Sequence, residues 1–206
     1  MSRYTYLLAT LLIGTASLAF AGKYNQKLSL GDVAPAWEKL PGTDDKPHSL
    51  ADLKDKDVVV VVFTCNSCPY AVDYQQRINT LAKAYAGPES KVAVVAICVN
   101  KVPEDELPAM KERAEAEGFV YDYLYDETQQ IARDYGANWT PEFFVLNKER
   151  KVVYMGAFDD DADAGAAKLK YVETAITATL AGQDFEVKET PAVGCAVRYV
   201  RERKKK

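Results

Sequence analysis

The sequence predicts an α/β domain in which a mixed β-sheet is covered by helices on both faces. Three observations carry this expectation. Val58 to Phe63 and Lys91 to Val99 are two apolar runs rich in β-branched residues, the pattern of strands buried on both faces of a sheet. Between them, Tyr70 to Ala86 places Val72, Ile78, Leu81, Ala82 and Tyr85 at mostly helical spacing. Downstream, Phe143 to Leu146 and Lys151 to Gly156 flank a turn at Asn147 to Arg150, which reads as an antiparallel hairpin. Composition agrees with one globular domain. The chain has 206 residues, 48% hydrophobic, with a formal charge of −4, which excludes a disordered or collagen-like chain and a nucleic-acid-coating surface.

Taken in order, Met1 to Ala21 has the layout of a secretory signal: Arg3, an apolar run from Leu7 to Leu18, and the small-x-small end Ala19-Phe20-Ala21. The run is shorter than the roughly 20 residues that cross a bilayer, so cleavage after Ala21 is expected rather than an uncleaved anchor. That places the mature protein in the periplasm or outside the cell, without stable membrane insertion. From Gly22 to about Asp55, Gly31, Pro35, Pro41, Gly42 and Pro47 leave room only for short strands around Ala36 to Leu40, an extension packed on the core. Pro69 opens the first helix and Gly87-Pro88 stops it. Glu104 to Glu117 is a second helix, with Pro108 in its first turn and Gly118 at its end. A strand at Tyr121 to Tyr125, a helix at about Glu127 to Tyr135, the hairpin, and a last helix from about Ala164 to Leu180 complete residues 22–186. Asp159, Asp160, Asp161 and Asp163 have the wrong spacing for a calcium loop, since Lys170 stands where the bidentate glutamate belongs. The segment 187–206 ends in a basic tail from Arg198 to Lys206, read as a solvated end.

The chemistry concentrates at Cys65-Asn66-Ser67-Cys68-Pro69, between a buried strand and a helix. A sulfur just before a helix N-terminus meets unpaired N–H groups and the positive end of the dipole, so Cys65 is expected to ionise below the ordinary thiol value of about 8.5. Cys68 is spaced to break a mixed disulfide formed on Cys65, completing a two-electron exchange. A static disulfide, or half of a zinc site, would use the same residues. A four-cysteine zinc site would need a second close pair, and Cys98 and Cys195 are isolated.

With these residues in view, the chain resembles the thioredoxin-like superfamily. The strand ending in Phe63-Thr64, the Cys65 to Pro69 motif opening a helix, and Trp139-Thr140-Pro141 before the strand Phe143 to Leu146 carry the resemblance. Gly31-Asp32-Val33-Ala34-Pro35 is similar to the start of the peroxiredoxin-like "redoxin" branch, and Thr190 to Cys195 resembles the end of secreted bacterial thioredoxin-family proteins. The likeness spans about Gly31 to Gly182. It implies a three-layer thioredoxin-like sandwich and catalysis by Cys65 and Cys68. It also implies a cis Thr140–Pro141 bond facing the cysteines, and a substrate-binding edge formed by Trp139, Thr140 and Pro141. There Thr140 would pair with an extended substrate segment.

Two departures narrow the reading. A peroxiredoxin carries proline and threonine seven and three residues before its reactive cysteine, where this chain has Val58 and Val62. Thioredoxin's proton-shuttling aspartate is replaced by Val59, which leaves Glu142 as a candidate for proton transfer unless it is an ordinary solvent-facing strand residue. Cys98 reads as buried core, Cys195 as packing or a redox partner, and His48 as a poor metal ligand. The expectation is an extracytoplasmic thiol-disulfide oxidoreductase that needs no cofactor or metal and exchanges with protein thiols and an upstream redox partner. A thiol peroxidase, or a metallochaperone or redox-sensing module without turnover, is the alternative. Asn66-Ser67 carries neither the histidine of oxidants nor the Gly-Pro of strong reductants, which favours a reducing or intermediate potential.

Overall fold

A computed structural model describes residues 22–201, so the signal segment and the last five residues of the basic tail lie outside the described residues. A short hairpin of β1 (Leu40–Pro41) and β2 (Pro47–His48) precedes β3 (Val58–Phe63), α1 (Pro69–Ala84), β4 (Val92–Cys98), α2 (Leu107–Glu117) and β5 (Asp122–Tyr125). Then come α3 (Gln130–Tyr135), β6 (Trp139–Thr140), β7 (Glu142–Leu146), β8 (Val152–Gly156), α4 (Tyr171–Ala181) and β9 (Cys195–Ala196). The central sheet has the order β5-β4-β3-β7-β8, parallel between β3, β4 and β5 and antiparallel at β7 and β8. It is the mixed, doubly covered sheet that the sequence predicts.

β3 sits at the centre because both of its faces are apolar. Val58, Val60 and Val62 face Ile78 and Leu81 of α1, Met110 of α2 and Val172 and Ile176 of α4. Val59, Val61 and Phe63 face Ile131 and Tyr135 of α3 together with Trp37 and Leu50 of the N-terminal extension. All six β3 side chains are fully buried, each contributing about 1.5–3 kcal/mol. The extension covers both sheet edges, since Gly31 and Ala34 bond to Val152 and Arg150 while Thr43 bonds to Tyr123. Covering those edges removes templates for unwanted strand pairing.

Element boundaries move where side chains bond the backbone. The expected second helix starts three residues late, at Leu107, because Pro103–Asp105 is a separate 3₁₀ turn whose Asp105 points inward. α3 starts at Gln130 because Asp126 accepts from the Thr128 and Ile131 N–H groups and Gln129 adopts φ 62°. The last helix starts at Tyr171 instead of Ala164. Asp160 accepts from the N–H groups of Lys168 and Leu169 and holds that stretch as a loop. Of the strand expected around Ala36 to Leu40, only Leu40 lies in one, in β1, which pairs with β2 (Pro47–His48). Arg198 to Val200 is not a loose end: Arg198 N–H donates to Asn100, Gln129 bonds Arg198 and Val200, and the Tyr199 hydroxyl donates to Ala137. No helix among the described residues is long and apolar enough to cross a membrane.

Candidate functional site

β3 delivers Thr64 and Cys65 to the end of the sheet, and the loop Asn66-Ser67 turns the chain into α1. α1 begins at Pro69 with Cys68 as its N-cap, and the Cys68 sulfur accepts from the Ala71 N–H at 3.4 Å. The sequence reading puts Cys65 just before the helix N-terminus, as the sulfur that meets its free N–H groups. In the structure Cys68 takes the capping place. The N–H groups of Asn66 and Ser67, which would face an ionised Cys65, donate instead to Asp105 Oδ1 at 2.7 and 2.8 Å. Asp105 Oδ2 accepts from Ser67 Oγ at 2.6 Å and Asn100 Nδ2 at 2.9 Å. Asn66 bonds the carbonyls of Glu104 and Ala109 and receives the Tyr123 hydroxyl, so the motif loop is locked to the start of α2.

Both sulfurs are buried and lie against Thr140. Cys65 Sγ lies 3.5 Å from Thr140 Oγ1, and Ser67 Oγ makes a longer 3.9 Å contact to it. The neighbouring Cys68 raises the Cys65 pKa, burial raises it further, and the Asp105 charge adds to the effect. Cys68 goes the other way, lowered by the neighbouring Cys65 against the opposing effect of burial, then by Cys195 and the Ala71 N–H. The Thr140 carbonyl oxygen, 3.1 Å from Cys68 Sγ, is the one neighbour that calls for a proton on Cys68. Capping of α1 and the Ala71 N–H favour a thiolate on Cys68, while the Thr140 carbonyl favours its thiol.

Thr140–Pro141 is cis, as the resemblance implies, and Thr140 meets both sulfurs. Its edge is not open, however. β6 pairs antiparallel with β9, Thr140 opposite Cys195 and Trp139 opposite Ala196, so the chain's own C-terminal segment takes the place expected for an extended substrate. The approach is close enough that a Cβ on Gly194 would lie 2.0 Å from the Thr140 carbonyl oxygen. Trp139, Tyr70 and Val193 remain substantially exposed around this strap. A cleft of about 270 Å³ opens beside it, floored by Pro141 and walled by Tyr70, Tyr74 and Phe158. A larger cleft of about 690 Å³, lined by Leu30, Asn147, Leu180 and Phe185, contains no cysteine.

Glu142 is neither solvent-facing nor in hydrogen-bond contact with a sulfur. It is buried in β7, and its Oε2 accepts from the Asn138 and Trp139 N–H groups at 2.8 and 3.0 Å, bracing the loop before Pro141. Burial pushes its pKa from 4.5 up to about 7, partly offset by those two bonds. Between the two values the folded state holds a proton that the unfolded chain has lost. Stability therefore falls as pH rises through this window, by about 3 kcal/mol at 1.36 kcal/mol per pH unit. Glu142→Gln keeps an acceptor and removes the ionisation, so denaturant midpoints measured at pH 5 and pH 8 should converge in the variant. An unchanged pH dependence would show that Glu142 does not titrate there.

The remaining candidates are placed apart from this chemistry. Cys98 is fully buried and its pKa pushed up to about 12 by burial. His48 bonds Asp44, and Asp159 is neutralised by Arg77. One contributor escaped sequence reasoning, and one was named there without being placed at the site. Asp105 lies in an acidic run that reads as a helix start, and only the turn after Pro103 aims it inward. Cys195 joins the site across a sequence separation of 55 residues from Thr140.

The Redoxin family model matches residues 29–174. A hypothetical protein of Sinorhizobium meliloti 1021 is 32% identical, with a TM-score of 0.78 over 86% of this chain and 98% of that one. An uncharacterized conserved protein of Geobacillus kaustophilus is also 32% identical, with a TM-score of 0.79 over 87% and 96% of the two chains. A thiol:disulfide interchange protein of the thioredoxin family from Chlorobium tepidum TLS shares the fold at 21% identity, with a TM-score of 0.57 over 74% and 98%. No curated protein sequence matches the chain. Family match, sheet order and cis-proline geometry agree: the chain belongs to the Redoxin family, thioredoxin-like in fold, a family of thiol-disulfide oxidoreductases and peroxidases.

Proposed function

We propose that the protein is an extracytoplasmic thiol-disulfide oxidoreductase that exchanges disulfides with protein partners through Cys65 and Cys68. The observation that carries this reading is the buried thiol pair at the β3–α1 junction, both sulfurs held against Thr140 of the cis Thr140–Pro141 bond. In the exchange, Cys68, the more acidic sulfur, attacks a substrate disulfide and expels one substrate thiolate. Cys65 then attacks Cys68, expelling the second, so that a Cys65–Cys68 disulfide forms as two electrons and two protons pass to the substrate. The signal-like segment Met1 to Ala21 supports export, with the mature protein beginning at Gly22.

The peroxidase reading is less well supported. Val58 and Val62 are fully buried and offer no hydrogen bond to a peroxide, and the hydroxyls of Thr140 and Ser67 are the ones that contact Cys65 among the described residues. Protein exported from cells should show Gly22 at its N-terminus by mass spectrometry and reduce insulin with a dithiol supply. Its peroxide turnover should stay far below the roughly 10⁶ M⁻¹s⁻¹ of an efficient enzyme. Peroxide turnover at that level without insulin reduction would replace this reading with the rival one.

A further inference from the structure

We propose that Cys195 is a third redox-active cysteine, the outer member of a sulfur relay through which the Cys65–Cys68 disulfide is passed to an external dithiol partner. The inference rests on the exchange proposed for Cys65 and Cys68 and adds the group that connects that buried pair to the surface.

Three observations support it. Cys195 lies beside the inner pair: it sits opposite Thr140 across β6 and β9, its carbonyl accepts from Thr140 Oγ1 at 3.3 Å, and the Thr140 carbonyl oxygen is 3.1 Å from Cys68 Sγ. Cys65 and Cys68 are 1% and 2% exposed, whereas Cys195 is partly open to solvent and lies within the exposed apolar patch of Tyr70, Trp139 and Val193. Lastly, the strap is fixed at both ends. Upstream, the Thr190 side chain bonds the Tyr154 hydroxyl at 2.7 Å and the Ala157 N–H at 2.9 Å. Downstream, the Val197 N–H donates to Asn138, Arg198 N–H to Asn100 and Val200 N–H to Gln129. Between these anchors, Gly194 brings the backbone onto Thr140, where a side chain would collide. The segment thus presents one sulfur at a set position beside Cys68.

The chemistry closes. The neighbouring Cys68 is the chief influence that keeps Cys195 a thiol, and formation of the Cys65–Cys68 disulfide removes any charge on Cys68. The Tyr70 N–H and Arg198 then favour the Cys195 thiolate. Cys195 attacks Cys68: the Cys68–Cys195 bond forms, the Cys65–Cys68 bond breaks, and Cys65 leaves as a thiolate that takes up the proton Cys195 gave up. A thiolate of the partner dithiol next attacks the accessible Cys195 sulfur and expels Cys68, the most acidic thiol of the three and hence the best leaving group. The partner's second thiol resolves its mixed disulfide with Cys195, which departs and is protonated. The partner ends as a disulfide and the inner pair has gained its two electrons. Run in reverse, the same steps carry an external disulfide inward.

The test is non-reducing peptide mapping of full-length mature protein, reduced, then oxidised with diamide and quenched with N-ethylmaleimide at acid pH. Wild type should yield both Cys65–Cys68 and Cys68–Cys195 peptides, and Cys65→Ser should collect in the Cys68–Cys195 form. Gly194→Ala, checked for folding by its thermal transition, should lose the Cys68–Cys195 peptide and keep Cys65–Cys68. Cys65–Cys68 alone in wild type, with free Cys68 and Cys195 in Cys65→Ser, would overturn the relay and leave the oxidoreductase reading standing. Absence of both disulfides from wild type would overturn both.

Discussion

Cys68→Ser is expected to reduce insulin-disulfide exchange to background and to abolish the thiolate absorbance that the reduced wild-type protein retains below neutral pH. An ordinary thiol is only a few per cent ionised at pH 7. Cys68 departs from that because it caps α1, receives the Ala71 N–H and has Cys65 beside it. Titration at 240 nm locates the charge. Cys65→Ser leaves the α1 cap and the Ala71 N–H in place, so its acidic transition should persist. If Cys65→Ser eliminates the transition and Cys68→Ser retains it, the lower pKa belongs to Cys65 and the assignment is reversed.

Asp105→Ala should be the most destabilising substitution near the site. The carboxylate is fully buried and accepts from four donors: the Asn66 and Ser67 N–H groups, Ser67 Oγ and Asn100 Nδ2. Leaving a buried donor without a partner costs about 1–3 kcal/mol, and water entering the cavity would recover part of the sum. A net loss of about 3 kcal/mol corresponds to a melting temperature lower by about 6–12 °C in a protein of this size. The same variant frees the Asn66 and Ser67 N–H groups to turn towards Cys65 and removes a charge that raises its pKa, so Cys65 should become easier to alkylate. A melting temperature within about 2 °C of wild type would show that Asp105 does not hold the motif loop.

Much of the architecture was legible because it depends on local pattern. A run such as Val58 to Phe63 has no polar face, so it can only be a strand covered on both sides, and the Cys65 to Pro69 motif between that run and a helical repeat marks where the chemistry would lie. Boundaries were legible where glycine ended a helix, as at Gly118. They were misread where an aspartate competed for backbone N–H groups, as Asp126 and Asp160 do before α3 and α4.

What the sequence by itself determined is the layered α/β fold, the cysteine pair at a strand–helix junction and the cis-proline opposite it. Hydrophobic period, motif spacing and family resemblance all act along the chain. The surroundings that bias each sulfur towards thiol or thiolate exist only in three dimensions, because much of what meets the two thiols comes from residues far away in sequence. Asp105 claims the N–H groups beside Cys65, while Cys65, Ala71 and Cys195 converge on Cys68. The same holds for the covered edge. Nothing local tells the segment around Cys195 to pair with Thr140; the anchors at Thr190 and at Val197 to Val200 place it there.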